Sequence, residues 1–310
     1  EEVPADLGSN RTRAVVKIQD GCGEFCTYCK IPFARGRSRS RQPHHAAAEV
    51  KRLGDAGFRE VVLTGIHLGA YGRDLIPPLS LVDVMKAALA TNPDLRLRLS
   101  SVDPDKIDHK LLEFIADTPQ ICPHLHVPLQ SGSTSVLARM GRNYTAKQYR
   151  LTKDAIGSIL PDAAITTDVI VGFPGETDDE FAQTLQFVED MGFSRIHVFP
   201  FSPRAKTVAA TMPGQIPKSI RTERAHILAE LGSKLSLNYH RRFLGQTVEI
   251  LVEEVNSLTG QGLTGQYVRV HGTMAASSPV VSPGMLVSVK ITATGQDGME
   301  GIFVSLGNNQ

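Results

Sequence analysis

The chain has 310 residues, 41% of them hydrophobic, and its 33 basic and 32 acidic side chains leave a net charge of +1. This composition is typical of an ordinary globular protein with a sizeable core. No apolar run approaches the roughly 18 residues of a membrane span and no charged-then-apolar leader is seen, so we expect a cytoplasmic protein with no membrane contact.

The first 243 residues alternate short aliphatic runs with helical patterns, which is typical of βα units and a mostly parallel sheet. Six strands are predicted, beginning near residues 14, 60, 95, 124, 164 and 195. Six units are two short of a closed eight-unit barrel, so the α/β pattern predicts a partial (βα)6 TIM-like barrel. Its functional edge should lie at the carboxyl ends of the strands.

Two helices have boundary signals in the sequence. The segment "TDDE", Thr177 to Glu180, predicts a capping box directly after "GFPG", and Gly192 is a natural end for the helix that follows. A last long helix is predicted over roughly residues 218–243, where Leu228 and Leu231 share one face.

Strict alternation of apolar and polar residues replaces the helical period after Gly245. This pattern predicts a small antiparallel β-barrel of four or five strands, so we expect two domains, residues 1–243 and 244–310. Residues 243–310 contain two basic and five acidic residues, a net charge of −3, against about +4 for the rest. A polyanionic partner should therefore meet mainly the larger domain.

Three of the four cysteines, Cys22, Cys26 and Cys29, form a C-x3-C-x2-C pattern in the loop after the first strand, whereas Cys122 is isolated. Such an arrangement is not the evenly paired framework of a secreted disulfide protein. It indicates a shared metal centre, and spacing and strand context favour a 4Fe-4S cluster with one open iron over zinc or a cysteine-rich loop.

This pattern, with Tyr28 before its last cysteine, resembles the radical S-adenosylmethionine superfamily. The resemblance implies that the open iron binds S-adenosylmethionine and that reduction releases a 5′-deoxyadenosyl radical. It places Tyr28 against the adenine and Thr64 and Gly65 in the loop that binds the methionine amino group. The alternative for Tyr28 is ordinary packing within the loop.

Other strand ends carry further candidates for binding the cofactor. Gln130 and Ser131 are expected to bond its ribose or carboxylate, and Arg142 to pair with the carboxylate. Their alternatives are helix-start and surface roles. Phe199, with Phe201, is either an adenine wall or core.

Two patterns that contain histidine are not favoured as a catalytic base or as a metal site. We expect His67 to form local hydrogen bonds rather than act as a base. Cys122, His124 and His126 alternate on one strand face, but a second metal is not favoured there, because adjacent strand positions rarely splay enough to share one ion.

A longer series of motifs, including "LTGIHLGAYG", "HVPLQSGS" and "TDVIVGFPGET", resembles the methylthiotransferases along essentially the whole chain. In that family the small barrel is the RNA-binding TRAM domain. "GIHLGAYG" is most similar to the bacterial enzymes that convert N6-threonylcarbamoyladenosine at tRNA position 37 to its 2-methylthio derivative. The alternatives are an enzyme for isopentenyladenosine tRNA, one for a ribosomal-protein aspartate, and a non-catalytic metal-containing RNA-binding protein.

The resemblance implies two partners, a tRNA anticodon stem-loop and an electron donor. An arginine run, Arg35, Arg37, Arg39 and Arg41, is a candidate for phosphate contact, with a solvated loop or internal salt bridges as its alternative. The acidic small barrel would have to bind RNA through shape, through an aromatic such as Tyr267, or through a local patch.

One departure from the family concerns its N-terminal domain, in which three further cysteines hold a second cluster. The chain contains no such residues, so we expect a fragment or a shortened protein. As given, it should hold one cluster and cleave S-adenosylmethionine, with impaired or absent sulfur insertion.

Overall fold

The computed structural model describes residues 12–275 and 278–305. All six predicted βα strands are present, and two short strands frame the cysteine loop. The strands of this part are β1 Ala14–Lys17, β2 Gln19–Asp20, β3 Arg39–Ser40, β4 Glu60–Thr64, β5 Arg96–Leu99, β6 His124–His126, β7 Ala164–Val171 and β8 Arg195–Pro200.

The βα strands form two parallel three-stranded sheets, β1-β4-β5 and β6-β7-β8. The sheets are joined at Leu97, whose amide donates to the Gln120 carbonyl at 2.9 Å and whose carbonyl accepts from the Cys122 amide at 2.8 Å. The result is an open, curved wall of six parallel strands, which confirms the predicted partial barrel.

Eight helices flank these strands in the described part of the chain. They are α1 Ile31–Arg35, α2 Pro43–Asp55, α3 Leu81–Leu89, α4 His109–Ala116, α5 Thr134–Arg139, α6 Ala146–Ile159, α7 Asp178–Met191 and α8 Lys218–Arg241. The predicted capping box of α7 is confirmed, since the Thr177 hydroxyl accepts from the Glu180 amide at 3.2 Å. Gly192 ends α7 with a φ of 62°. No helix among the described residues is long and apolar enough to span a bilayer.

Strand alternation separates the two faces of the wall. On β7, Val169 and Val171 are almost fully buried in the helix-covered core, so Asp168, which directly precedes Val169, faces the concave side. On β8, Ile196 and Val198 pack against the same core, which turns His197 to the concave side as well. The concave face of the wall therefore presents polar side chains about halfway along the strands.

The C-terminal region is a closed five-stranded barrel in the order β10-β11-β13-β12-β9. Its strands are β9 Thr247–Val255, β10 Thr259–Thr264, β11 Arg269–Thr273, β12 Leu286–Thr294 and β13 Met299–Val304. The barrel is not wholly antiparallel, because β11 and β13 pair in parallel. An odd number of strands in a closed ring cannot alternate direction throughout, so one parallel pair is unavoidable.

This small barrel docks on the amino-terminal end of the parallel strands. Arg98 of β5 is buried, pairs with Glu60 at 2.8 Å and donates to the Gly265 carbonyl at 2.8 Å. Tyr267 lies in the same contact, with its ring 5.1 Å from that of His124 and 4.7 Å from the Arg98 guanidinium. Tyr267 is thus engaged with the parallel sheet, and 37% of its surface stays exposed.

Candidate active site at the carboxyl edge of the sheet

The cysteine loop is closed at its base by a two-stranded ribbon. β2 and β3 pair antiparallel, with Gln19 opposite Ser40. Gly21 follows with a φ of 76°, and a Cβ there would lie 2.0 Å from the Arg37 carbonyl oxygen. The next amide, that of Cys22, donates to the Gly36 carbonyl at 3.0 Å. Glycine is therefore required at position 21 to close the loop.

The middle of the loop is fastened to the end of α5. The Thr27 amide donates to the Met140 carbonyl and the Thr27 hydroxyl to the Arg139 carbonyl, both at 2.9 Å. The Cys29 amide donates to the Cys26 carbonyl at 2.9 Å, which forms a tight turn between these two cysteines. These contacts hold the three thiols at the carboxyl edge, as the sequence predicts.

Hydrogen-bond donors already face two of the sulfur atoms. Arg142 donates to Cys26 Sγ at 3.3 Å, and the Glu24 amide donates to Cys22 Sγ at 3.3 Å. Burial raises the pKa of both thiols, and the Arg142 guanidinium opposes that rise in the pKa of Cys26. Donors of this kind stabilise thiolates and tune iron–sulfur clusters.

The three cysteines fit a multi-iron cluster better than a single ion. All are free thiols. Within the described ranges, no group of three ligand atoms that lie within 4.8 Å of one another includes a cysteine sulfur. A tetrahedral zinc with Zn–S bonds of about 2.3 Å would hold sulfurs about 4 Å apart. The three thiols therefore do not form a ready-made single-ion site, whereas ligands to different metal atoms of one cluster lie further apart.

Arg142 is fixed by an acid that the sequence analysis missed. Its second terminal nitrogen pairs with Asp103, and the other oxygen of Asp103 lies 3.2 Å from His67 Nε2. His67 is 5% exposed, and its Nδ1 is 3.8 Å from Cys22 Sγ. Burial lowers the pKa of His67. Asp103 follows the third βα strand in "LSSVDPD", so its position at a strand end was the available signal.

Thr64 and Gly65 lie where β4 ends, beside the cysteine loop. A Cβ at Gly65 would come within 2.8 Å of the Gln19 side-chain oxygen, so the backbone passes closely there. That same oxygen accepts from the His67 amide at 2.8 Å, while the Gln19 amide nitrogen donates to the Gly21 carbonyl at 2.7 Å. Gln19, another residue missed from the sequence, braces the two loops together.

The two residues predicted after β6 face different ways. Gln130 has a φ of 66° and bridges to β7, with its amide donating to the Asp168 carbonyl at 2.8 Å. Ser131 is 1% exposed, and its hydroxyl lies 3.2 Å from the Thr184 hydroxyl on α7. The structure thus keeps Gln130 at the edge and turns Ser131 into the helix layer.

Aromatic side chains near the edge divide into buried and open groups. The Tyr28 ring packs edge-on at 6.3 Å from Phe173, which in turn packs 5.2 Å from Phe201. Burial raises the pKa of Tyr28 well above its ordinary value. Phe201 is core, whereas Phe199 is half exposed on the concave face. Phe199 is therefore the one of the two that a ligand can reach.

The arginine run also divides. Arg35 and Arg39 lie 3.7 and 4.0 Å from Asp20 with exposed side chains, and Arg37 between them is exposed. Arg41 instead pairs with Glu49, which is buried in α2. The first three can meet a phosphate beside the cysteines, and Arg41 has a structural partner.

A second polar group occupies the concave face below the edge. His126 Nε2 lies 3.1 Å from Asp168 Oδ2, and the ligand atoms of His126, Asp168 and His197 are all within 4.8 Å of one another. The Thr166 hydroxyl lies 2.9 Å from both His126 Nδ1 and His124 Nε2. This group is not the alternation of Cys122, His124 and His126 along one strand, at which a second metal was not favoured. Only alternation along three separate strands would have signalled this group.

A family model described as the Radical SAM superfamily matches residues 16–188. Members of that superfamily use a 4Fe-4S cluster and S-adenosylmethionine. Two solved structures share the fold, the methyltransferase TsrM of Kitasatospora setae with a TM-score of 0.53 and 16% identity, and HemN of Escherichia coli with 0.52 and 17%. They match 64% and 74% of this chain, and 38% and 55% of those chains.

Curated relatives are similar over a longer part. The threonylcarbamoyladenosine tRNA methylthiotransferase MtaB of Bacillus subtilis is 39% identical over 98% of this chain and 68% of its own length. MtaB of Thermotoga maritima is 42% identical over 79% and 56%. The tRNA-2-methylthio-N(6)-dimethylallyladenosine synthase of Thermoanaerobacter pseudethanolicus is 38% identical over 99% and 64%. The chain belongs to the radical SAM superfamily and, within it, to the methylthiotransferases.

Proposed function

We propose that this protein converts N6-threonylcarbamoyladenosine at position 37 of tRNA to its 2-methylthio derivative. The observation that carries the proposal is the three-thiol loop, held open at the carboxyl edge of a partial barrel in a chain similar to MtaB throughout. An anticodon-loop adenosine is single-stranded enough to be splayed out into an open cavity.

In this proposal Cys22, Cys26 and Cys29 hold the cluster, which supplies an electron from an external donor for cleavage of S-adenosylmethionine. The chain's own residues hold the reactants. Arg142 stabilises the Cys26 thiolate through its 3.3 Å hydrogen bond. The close backbone at Thr64 and Gly65 supports the methionine amino group.

The remaining cofactor contacts are assigned by position. Gln130 lies at the strand end and is proposed to bond the ribose or the carboxylate. Tyr28 and the exposed Phe199 are proposed to flank the adenine. Ser131 follows Gln130 in the chain and is buried, with its hydroxyl turned toward Thr184 of α7.

The tRNA is proposed to approach over Arg35, Arg37 and Arg39, whose exposed guanidinium groups lie on the cysteine loop. We further propose two domains, residues 1–243 and 244–310, because α8 ends at Arg241 and β9 begins at Thr247. The cytoplasm is the proposed compartment, since tRNA is found there and free thiols persist there.

The test expresses the complete gene in a bacterium that lacks its own threonylcarbamoyladenosine methylthiotransferase, followed by mass analysis of tRNA nucleosides. The 2-methylthio-threonylcarbamoyl product is expected, and a Cys26→Ala variant should not form it. Appearance of the 2-methylthio-dimethylallyl product alone, in a host lacking that enzyme, would favour the second candidate, which the 38% identical synthase supports.

Cofactor assembly is tested on the purified chain. Anaerobic reconstitution should give about four irons per chain and release 5′-deoxyadenosine on reduction. Tightly bound zinc without cleavage would instead indicate a metal-containing RNA-binding protein.

A further inference from the structure

The polar group of His126, Asp168 and His197 is not used by the cofactor contacts proposed above. Asp168 and His197 are direct neighbours in the parallel register of β7 and β8, and both face the concave side. The His126 and Asp168 side chains are 17% and 29% exposed, so the group is enclosed by strands but open to a ligand.

The hydrogen bonds around Thr166 determine which atoms this group offers to a ligand. Thr166 has one hydroxyl hydrogen and lies between two imidazole nitrogens, so one histidine must donate to it. Buried His124 has no partner for Nδ1 among the described residues, which makes that nitrogen the better site for a lone pair than for a hydrogen. His124 Nε2 then donates to Thr166, and Thr166 donates to His126.

The consequence is a fixed direction for the chain of hydrogen bonds. His126 presents its Nε2 hydrogen to Asp168 at 3.1 Å. A carboxylate accepts several hydrogen bonds, so Asp168 keeps acceptor capacity toward the open space. His197 beside it is half-buried and contributes a ring nitrogen within the same 4.8 Å group. The group thus offers an oriented hydrogen-bond acceptor, the Asp168 carboxylate, beside the imidazole of His197.

The group lies on the concave face below the carboxyl edge, where the cysteine loop is. Phe199 follows His197 by two residues on the same face of β8, a rise of about 7 Å toward the carboxyl edge. Arg195 precedes His197 by two residues on that face and adds a positive charge. A planar base against Phe199 would therefore have acceptor, imidazole and cation below it.

We propose that His126, Asp168 and His197 form a subsite for the polar substituent on N6 of the target adenosine, with His197 as the residue that reads it. This inference rests on the proposed function. C2 and C6 of adenine flank N1, so a ring that presents C2 to the cysteine edge directs its N6 substituent away from that edge. A threonylcarbamoyl group carries N–H and hydroxyl donors for Asp168 and a carboxylate for His197 and Arg195.

The same geometry disfavours the other modified base among the relatives. A dimethylallyl group is wholly apolar, so it would cover Asp168 and His197 without forming a hydrogen bond to either. Sites built to hydrogen-bond a ligand reject analogues that leave their polar groups unpaired. Identity to the two kinds of relative is almost equal, 39% and 38%, whereas the chemistry of this subsite distinguishes a threonylcarbamoyl from a dimethylallyl substituent.

The experiment measures binding of three anticodon stem-loop RNAs by the cluster-loaded chain. They differ only at position 37, which is adenosine, N6-dimethylallyladenosine or N6-threonylcarbamoyladenosine. The unaltered chain should bind the threonylcarbamoyl RNA about 10- to 100-fold more tightly than the other two. His197→Phe should remove that preference, while His197→Gln, which keeps a donor, should restore part of it.

His226→Phe is the matched control, because His226 is exposed on α8 and should leave all three affinities unchanged. Retention of the preference by His197→Phe overturns the subsite. The subsite is also overturned if the unaltered chain binds one equivalent of divalent metal beyond the cluster and His197→Phe does not. Two histidines and one carboxylate also form a metal-ligand set. A starting preference for the dimethylallyl RNA would overturn the proposed substrate itself.

Discussion

Arg142 joins Cys26 to Asp103, donating to the cysteine sulfur at 3.3 Å with one terminal nitrogen and pairing with the carboxylate through the other. The Arg142 side chain is 11% exposed, so both contacts are made in a largely desolvated position. Asp103 in turn lies 3.2 Å from His67 Nε2. The cluster loop is thereby coupled to residues after the second and third βα strands.

Arg142→Met should weaken the cluster site more than the fold. We expect lower iron retention after reconstitution and an altered cluster reduction potential, because the Cys26 thiolate loses its charged donor. Loss of stability of about 1–3 kcal/mol should accompany it, since Asp103 loses its guanidinium partner. Iron analysis, potentiometry and urea unfolding measure these effects.

Arg150→Met provides the control, because Arg150 pairs with Asp190 at 3.0 Å on an exposed surface. That change should cost less than about 1 kcal/mol and leave iron content unaltered. Equal iron content and equal potential in Arg142→Met and the unaltered chain would contradict the role assigned to Arg142.

Gly21→Ala should prevent the cysteine loop from closing. The added Cβ would meet the Arg37 carbonyl oxygen at 2.0 Å, and the φ of 76° is strained for alanine. Gly192→Ala is the matched control, since its φ is 62° but a Cβ there meets nothing within 4 Å. Gly192→Ala should cost about 1 kcal/mol with the cluster retained, and Gly21→Ala should lose iron. Equal iron in the two variants would show that closure does not depend on this contact.

Acid should destabilise the protein partly through Glu180. A bidentate pair with Arg139 at 2.6 and 3.0 Å lowers the pKa of Glu180 to about 2. Because this pKa is depressed from 4.5, the stabilisation is present above pH 4.5 and is lost as the pH falls toward 2. Urea unfolding at pH 6, 4 and 3 should show that the free energy of unfolding falls less with acid in Glu180→Gln than in the unaltered chain. Glu230→Gln, on an exposed pair, should retain the acid loss of the unaltered chain.

RNA affinity should depend on the exposed arginines rather than on the whole run. Arg37→Ala with Arg39→Ala should weaken stem-loop binding and reduce the slope of log affinity against log salt by about 0.7 for each phosphate that is no longer neutralised. Arg41→Ala should leave that slope unchanged and lower stability, because it strands the buried Glu49 carboxylate. An identical slope in the double variant would remove these residues from the RNA surface.

Local patterns were sufficient for the elements themselves. Short aliphatic runs that alternate with helical patterns predicted the six strands, because βα units repeat in this way. The capping residues Thr177 and Glu180 predicted the start of α7 and Gly192 its end, because these signals act within one turn. The three-cysteine spacing located the cluster loop for the same reason.

Pairings between distant segments could not be predicted in this way. Asp103 and Gln19 were missed because a hydrogen bond to Arg142 or His67 depends on which loops meet at the sheet edge. Arg41 was grouped with its neighbours, although its partner Glu49 lies on the next helix. The prediction of an all-antiparallel barrel was wrong for the pair β11 and β13, because closure of five strands is a property of the whole ring.

The sequence by itself determined the strands, the helices, the cysteine loop and the family resemblance, since each depends on residue type and short-range spacing. Only the tertiary structure decided that Arg142 serves Cys26 and Asp103, that Tyr267 is engaged with the parallel sheet, and that His126, Asp168 and His197 converge. These arrangements require the register of β6, β7 and β8 and the docking of the small barrel. Both are set by packing among residues far apart in the chain.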